Sequence, residues 1–142
     1  MKNIILFSTL VLLFQVALYT CQTQKCNLKG KWKNQLGSTM NISKGQNNGN
    51  FTGSYLTKVT REKNVEIKIS PISGVVHNSS EPIFAFLVKW SFSDSITSFI
   101  GQCFDDDKGE RLETIWLLRA KASSSENWAA TRVGSDVFRR LT

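Results

Sequence analysis

The sequence is poor in the residues that carry much of protein chemistry, with one histidine and three cysteines in 142 residues. A lone His77, and cysteines suited to pairing with each other, leave too few ligands for a transition-metal site. A hydrolytic triad can be drawn from His77, Ser79 or Ser80, and Asp94. It lacks support, because His77 sits in a sequon-bearing turn and no nucleophile-elbow motif surrounds the serines. Amphipathic helices are missing too; strand signals recur roughly every eight to twelve residues without a helical interruption. The formal charge of +7 suffices for weak adhesion to anionic surfaces. The basic residues are scattered, however, and form no stripe or recognition helix for specific nucleic-acid binding. Lys29, Lys31 and Lys33 alternate along one strand and mark its solvated face.

Long apolar runs are confined to the start. Met1-Lys2-Asn3 precedes an apolar stretch from Ile4 to Leu18, broken only by Ser8, Thr9 and Gln15. This is the pattern of a secretory signal peptide, too short to span a bilayer comfortably; a signal anchor is the alternative. Cleavage between Tyr19 and Gln24 divides the chain into a signal at 1–21 and one domain at 22–142, enough for a single core. Cys21 leaves with the signal. Cys26 and Cys103 then form one disulfide by default in a secreted chain, two buried free thiols being the alternative. Sequons at Asn41, Asn50 and Asn78 are glycan candidates in that compartment.

What the chain does have is aromatic residues interleaved with hydroxyls. In Lys89–Phe104, KWSFSDSITSFIGQCF, Trp90, Phe92 and Phe99 alternate with Ser93, Ser95 and Thr97. Aromatic faces supply contact area and hydroxyls fix orientation, which describes the wall of a small-molecule pocket. Strands are expected at Gly30–Asn34, Ser38–Ser43, Phe51–Lys58, Val65–Ser70 continued by Ile72–Val76, Pro82–Phe92, Thr97–Phe104, Glu110–Arg119 and Trp128–Phe138. The loops Lys44–Gly49 and Asp105–Gly109 are dense in turn residues. Eight sequential strands imply an all-β fold, an eight-stranded antiparallel up-and-down barrel whose mouth takes one small ligand; a two-sheet sandwich is the alternative. Parity turns Trp116 and Leu118 inward, and Ile115, Leu117 and Val133 outward. Apolar residues outside adjacent strands suggest packing of one barrel on another, unless they are harmless exposed aliphatics.

At this point the chain resembles the avidin family of biotin-binding proteins. The resemblance runs from Cys26 to Leu141 and rests on ordered motifs: CNLKGKWKNQLGS, FTGSY, WSFSDSITSFIGQCF, TIWLLR and WAATRVG. GxW alone would be weak, since lipocalins carry a similar first strand, but lipocalins are longer and end with a helix. A lipocalin-like carrier of another small hydrophobic ligand is the competing reading. GQCF and the cysteine pair place the similarity nearer the vertebrate, egg-white type than the bacterial type.

The resemblance implies a secreted binder that sequesters biotin with no catalysis and no cofactor. It implies that Asn34, Ser38 and Tyr55 surround the ureido carbonyl oxygen, three neutral donors stabilising the charge that builds there. Thr57 and Asp136 match the positions accepting the ureido N–H bonds, and Thr97 the position beside the sulfur. Ser93 and Ser95, with Thr60 from the loop, match the region holding the carboxylate. Trp90, Phe92, Phe99, Trp116 and Leu118 match the apolar walls, whereas Trp32, nearer the closed end, reads as core. Trp128 matches the residue that caps a neighbouring subunit's site, which implies a homotetramer. Two departures stand out. Asp136 replaces the Asn of the egg-white type, with Arg132 on the same face. The 60–64 loop carries Arg61, Glu62 and Lys63 in place of small neutral residues.

Overall fold

Alternation of apolar and polar side chains sets the architecture. Along the fifth strand Phe84, Phe86 and Val88 are buried while Ile83, Leu87 and Lys89 are exposed, as a pleated strand with one face on a core requires. The computed structural model describes residues 26–43, 45, 48–60 and 63–142. Its strands are β1 (Gly30–Asn34), β2 (Thr39–Ile42), β3 (Asn50–Leu56), β4 (Ser70–His77), β5 (Ile83–Lys89), β6 (Ser95–Phe104), β7 (Arg111–Ala120) and β8 (Thr131–Arg140). They form one closed antiparallel barrel in sequence order. The expected barrel is therefore found, and the sandwich is excluded. The expected signal at 1–21 lies outside the described residues, as do Lys44 in the β2–β3 loop and Arg61 and Glu62 in the β3–β4 loop.

Aromatic rings fill the middle. Phe86 stacks on Phe99 at 4.6 Å between centroids, and Tyr55 lies against Phe99 at 5.8 Å. Gly74 is required here, because a Cβ at that position would collide with the Phe51 ring and the Ala85 carbonyl. At the closed end Trp32 is fully buried and its Nε1–H donates to the Leu28 carbonyl at 2.8 Å. The Arg140 guanidinium lies 4.2 Å above the Trp32 ring and donates to Glu110 and to the Lys29 carbonyl. The disulfide joins Cys26 to Cys103 of β6, with the Cα atoms 6.0 Å apart. It replaces the alternative of two free thiols.

Several boundaries depart from expectation. The segment 65–69 alternates but forms no strand, because β3 is exhausted at the Tyr55↔Ser70 pair and no further strand edge remains for it. The strand instead starts at Ser70 and contains Pro71, tolerated because the β5 ladder begins only at Ile72↔Val88. Trp90–Phe92 leave β5 in a turn, and β6 starts at Ser95 rather than Thr97. Trp128 does not begin β8. It lies in a 3-10 turn, Ser124–Ala129, closed by bonds from Glu126 N–H to the Ser123 carbonyl and from Ala130 N–H to that of Asn127. Local turn chemistry from the serine run outweighs the β preference of the indole.

Two outcomes follow. Replacing Cys26 and Cys103 together by serine should cost about 2–4 kcal/mol in chemical denaturation, because the bond closes a loop with a sequence separation of 77. Arg140 holds the Glu110 carboxyl below its usual range, chiefly by hydrogen bonding. A depressed carboxylate adds stability that is complete above its unfolded pKa and is lost as pH falls through the folded one. Glu110→Gln should therefore lower stability at neutral pH and flatten the acid limb of a stability–pH curve below about pH 4.5.

Candidate functional site

The open end of the barrel is built from the β1–β2 turn outward. Gly37, at φ 83°, lets the chain reverse between Asn34 and Ser38. The Asn34 amide oxygen accepts from the Leu36 N–H at 3.1 Å and the Ser38 N–H at 2.8 Å. Those two donors fix the orientation of the amide, so Nδ2 faces β8 and donates to Asp136 Oδ2 at 2.9 Å. Ser38 Oγ accepts from the Lys58 N–H at 3.0 Å and sits 3.5 Å from Thr57 Oγ1. Thr57 Oγ1 donates to the Val59 carbonyl at 2.9 Å and accepts from the Val59 N–H at 3.2 Å, which locks the end of β3.

Tyr55 rises from β3 between rings, edge-on to Trp90 at 5.5 Å and to Phe138 at 6.2 Å. Burial, then the negative charge of Asp136, push its phenol well above the ordinary range, with a Ser38 hydrogen bond opposing weakly. The phenol therefore stays protonated at any physiological pH and serves as a donor. Across the barrel the Trp90 indole N–H donates to Thr97 Oγ1 at 2.8 Å, and the Ser93 and Ser95 hydroxyls meet at 2.7 Å. Trp116 lies flat against β8 because its partner is Gly134, where any Cβ would run into the indole. Among the described residues no buried side-chain nitrogen or oxygen lacks a partner. The site is preorganised.

These groups enclose a cavity of about 370 Å³, within the range of small-molecule sites. Asn34, Ser38, Tyr55, Thr57, Thr60, Trp90, Phe92, Ser93, Ser95, Thr97, Phe99, Trp116, Leu118 and Asp136 all line it. Trp128 does not; it stands 82 % exposed on its turn. Leu36, Val59, Ala120 and Arg132 line it as well; of these the sequence analysis noted only Arg132, on the face of Asp136. Leu36 and Val59 lie in turns beyond the strand ends, where period-two parity gives no direction. Arg132 and Ala120 have inward parity, which was a usable signal. The two charged residues on the wall, Arg132 and Asp136, are four positions apart on β8 and so roughly 13 Å apart along it. Asp136 is buried and takes a further bond from Gln35 Nε2 at 3.2 Å.

The chemistry is that of recognition. One end offers three neutral donors beside one carboxylate acceptor, the middle offers aromatic faces, and the other end offers two hydroxyls and a guanidinium. Among the described residues one group of potential metal ligands comes together, Cys26, Cys103 and Glu110, but its sulfurs are spent in the disulfide.

Comparison with known proteins gives one answer. A family model described as "Avidin family" matches residues 22–141. Avidin of Gallus gallus is 46% identical over 139 residues, covering 93% of this chain and 91% of its own. Avidin-related protein 4/5 of Gallus gallus is 47% identical over 137 residues, with the same coverage of 93% and 91%. Among solved structures, a biotin binding protein from chicken superposes with a TM-score of 0.79 at 48% identity, covering 84% of this chain and 100% of its own. Xenavidin does so with a TM-score of 0.78 at 48% identity, covering 82% and 98%. With the sequence match, the closed eight-stranded barrel and the lined mouth in agreement, the chain belongs to the avidin family.

Proposed function

We propose that this chain binds biotin in the mouth of its barrel and sequesters it without chemical change. The observation that carries this reading is the convergence of Asn34, Ser38 and Tyr55 as donors beside the Asp136 carboxylate in one cavity. A cyclic urea presents a carbonyl acceptor flanked by N–H donors, and this arrangement is its complement. Asn34, Ser38 and Tyr55 take the carbonyl oxygen; Thr57 and Asp136 accept the N–H groups. Trp90, Phe92, Phe99, Trp116 and Leu118 cover the fused rings, and Thr97 lies beside the sulfur. Ser93, Ser95 and Thr60, with Arg132 in support, receive the carboxylate at the outer end. A lipocalin-like carrier of apolar ligands would not need a buried carboxylate and three donors in its wall.

The same reading extends to assembly and location. Ile115, Leu117 and Val133 are 64%, 48% and 68% exposed on the outer wall, a patch suited to packing against another copy. Trp128, exposed and beyond the mouth, would cap the site of a neighbour in a homotetramer. The signal pattern expected at 1–21 and the disulfide support secretion, and Asn41, Asn50 and Asn78 are all exposed as glycan acceptors require.

Calorimetric titration with biotin should give one site per chain; a stoichiometry far below that sinks the proposal. A charge-assisted bond to a buried carboxylate is worth about 1.5–3 kcal/mol against about 0.5–1.5 for a neutral one. Asp136→Asn should thus retain binding with modestly faster dissociation, and Asp136→Ala should lose clearly more. Equal off-rates for wild type and Asp136→Ala would remove this residue from the site. Trp128→Ala should speed biotin dissociation and loosen subunit association together, at a cost of about 2 kcal/mol or more. Sedimentation with and without biotin checks this, and a wild-type monomer with an unaltered off-rate in the variant would contradict it.

A further inference from the structure

Gln35 lies outside the cavity wall, exposed on the turn that follows β1. Both ends of its amide are nevertheless engaged with β8. Its Oε1 accepts from the Val137 backbone N–H at 3.1 Å, while its Nε2 donates to Asp136 Oδ1 at 3.2 Å. The β1–β8 ladder stops one step earlier, at Asn34↔Phe138. The Gln35 side chain therefore continues the ladder where the backbone has turned away. Because a backbone N–H can only donate, Val137 fixes which amide atom is the oxygen, and the nitrogen must face the carboxylate.

Asp136 is thus gripped on both oxygens, Oδ2 by Asn34 and Oδ1 by Gln35. Two donors hold a carboxylate at one rotation, and Asp136 lines the cavity in that orientation. From this geometry we infer that Gln35 is a positioning residue for the Asp136 acceptor, setting ligand residence time without touching the ligand. The inference rests on the biotin reading. The titratable side chain beside Asp136 is Tyr55 on β3, whose phenol feels its charge; Arg132, the other charged residue of the wall, lies roughly 13 Å further along β8. Neither replaces the bond at Oδ1.

Two variants separate the two halves of the amide. Gln35→Met keeps the length and removes both bonds. Gln35→Glu keeps an acceptor for the Val137 N–H but sets a second carboxylate against Asp136. Two carboxylates at this separation share a proton as pH falls, which restores a donor to Asp136. Biotin dissociation, followed by chase with excess ligand on the intact assembled protein, should be roughly fivefold or more faster than wild type in both variants near about pH 8. Between about pH 8 and about pH 5 the Glu variant should recover toward wild type while the Met variant does not. The melting temperature of the ligand-free Glu variant should approach that of wild type near about pH 5, where the seam bond to Val137 survives and the shared proton relieves the repulsion. A Glu variant that releases biotin like wild type near about pH 8, or that shares the pH profile of the Met variant, would overturn the role of Gln35. A wild-type chain that takes up no biotin would overturn the underlying reading, and this inference with it.

Discussion

The hydrogen bond from Asn34 to Asp136 is the point on which the rest depends. It joins the end of β1 to β8, so it belongs to the seam that closes the barrel. It also lies in the cavity wall, where it decides which atoms of each side chain face a ligand. Closure and recognition are therefore one constraint. A change that frees Asp136 from Asn34 disturbs the seam, and a change that slips the seam by one residue turns Asp136 to the outside.

Around that bond three of the polar groups are held by backbone. The Leu36 and Ser38 N–H groups orient Asn34, the Lys58 N–H holds Ser38, and the Val59 peptide holds Thr57. Turns thus supply the orientation of Asn34, Ser38 and Thr57, while Asp136 is held by the side chains of Asn34 and Gln35. The aromatic residues do the complementary work, and Tyr55 belongs to both groups. Its ring is packed against Trp90, Phe99 and Phe138 while its hydroxyl stays near Ser38 and Asp136. A donor so packed costs little further entropy to use.

Much of the fold was legible because a barrel wall writes itself as alternation. Trp32 with Asn34, Phe84 through Val88, and Trp116 with Leu118 show inward parity directly in the sequence. Alternation says that a segment is half-buried, but not that a partner strand is available. This is why 65–69 reads as a strand and is not one. Trp128 misleads for a related reason: a β-favouring residue was weighed without the turn in front of it. The cavity was legible where strands carry it and obscure where turns do, as Leu36 and Val59 show. Gln35 could not be found from sequence at all. Its role comes from a side chain standing in for a ladder position, a relation that exists only once β1 and β8 are adjacent.

The order of the strands has a consequence in time. Every neighbour pair but one is consecutive in the chain, and the exception is β1 with β8. Seven hairpin-type pairings can form as each strand follows the last, whereas the final one must wait for the whole chain and close the longest loop. The cavity straddles that last junction. A chain still emerging from synthesis can have nearly all of its sheet and yet no complete pocket. The pocket is therefore complete only when the last strand has closed on the first, so it is a property of the finished barrel alone.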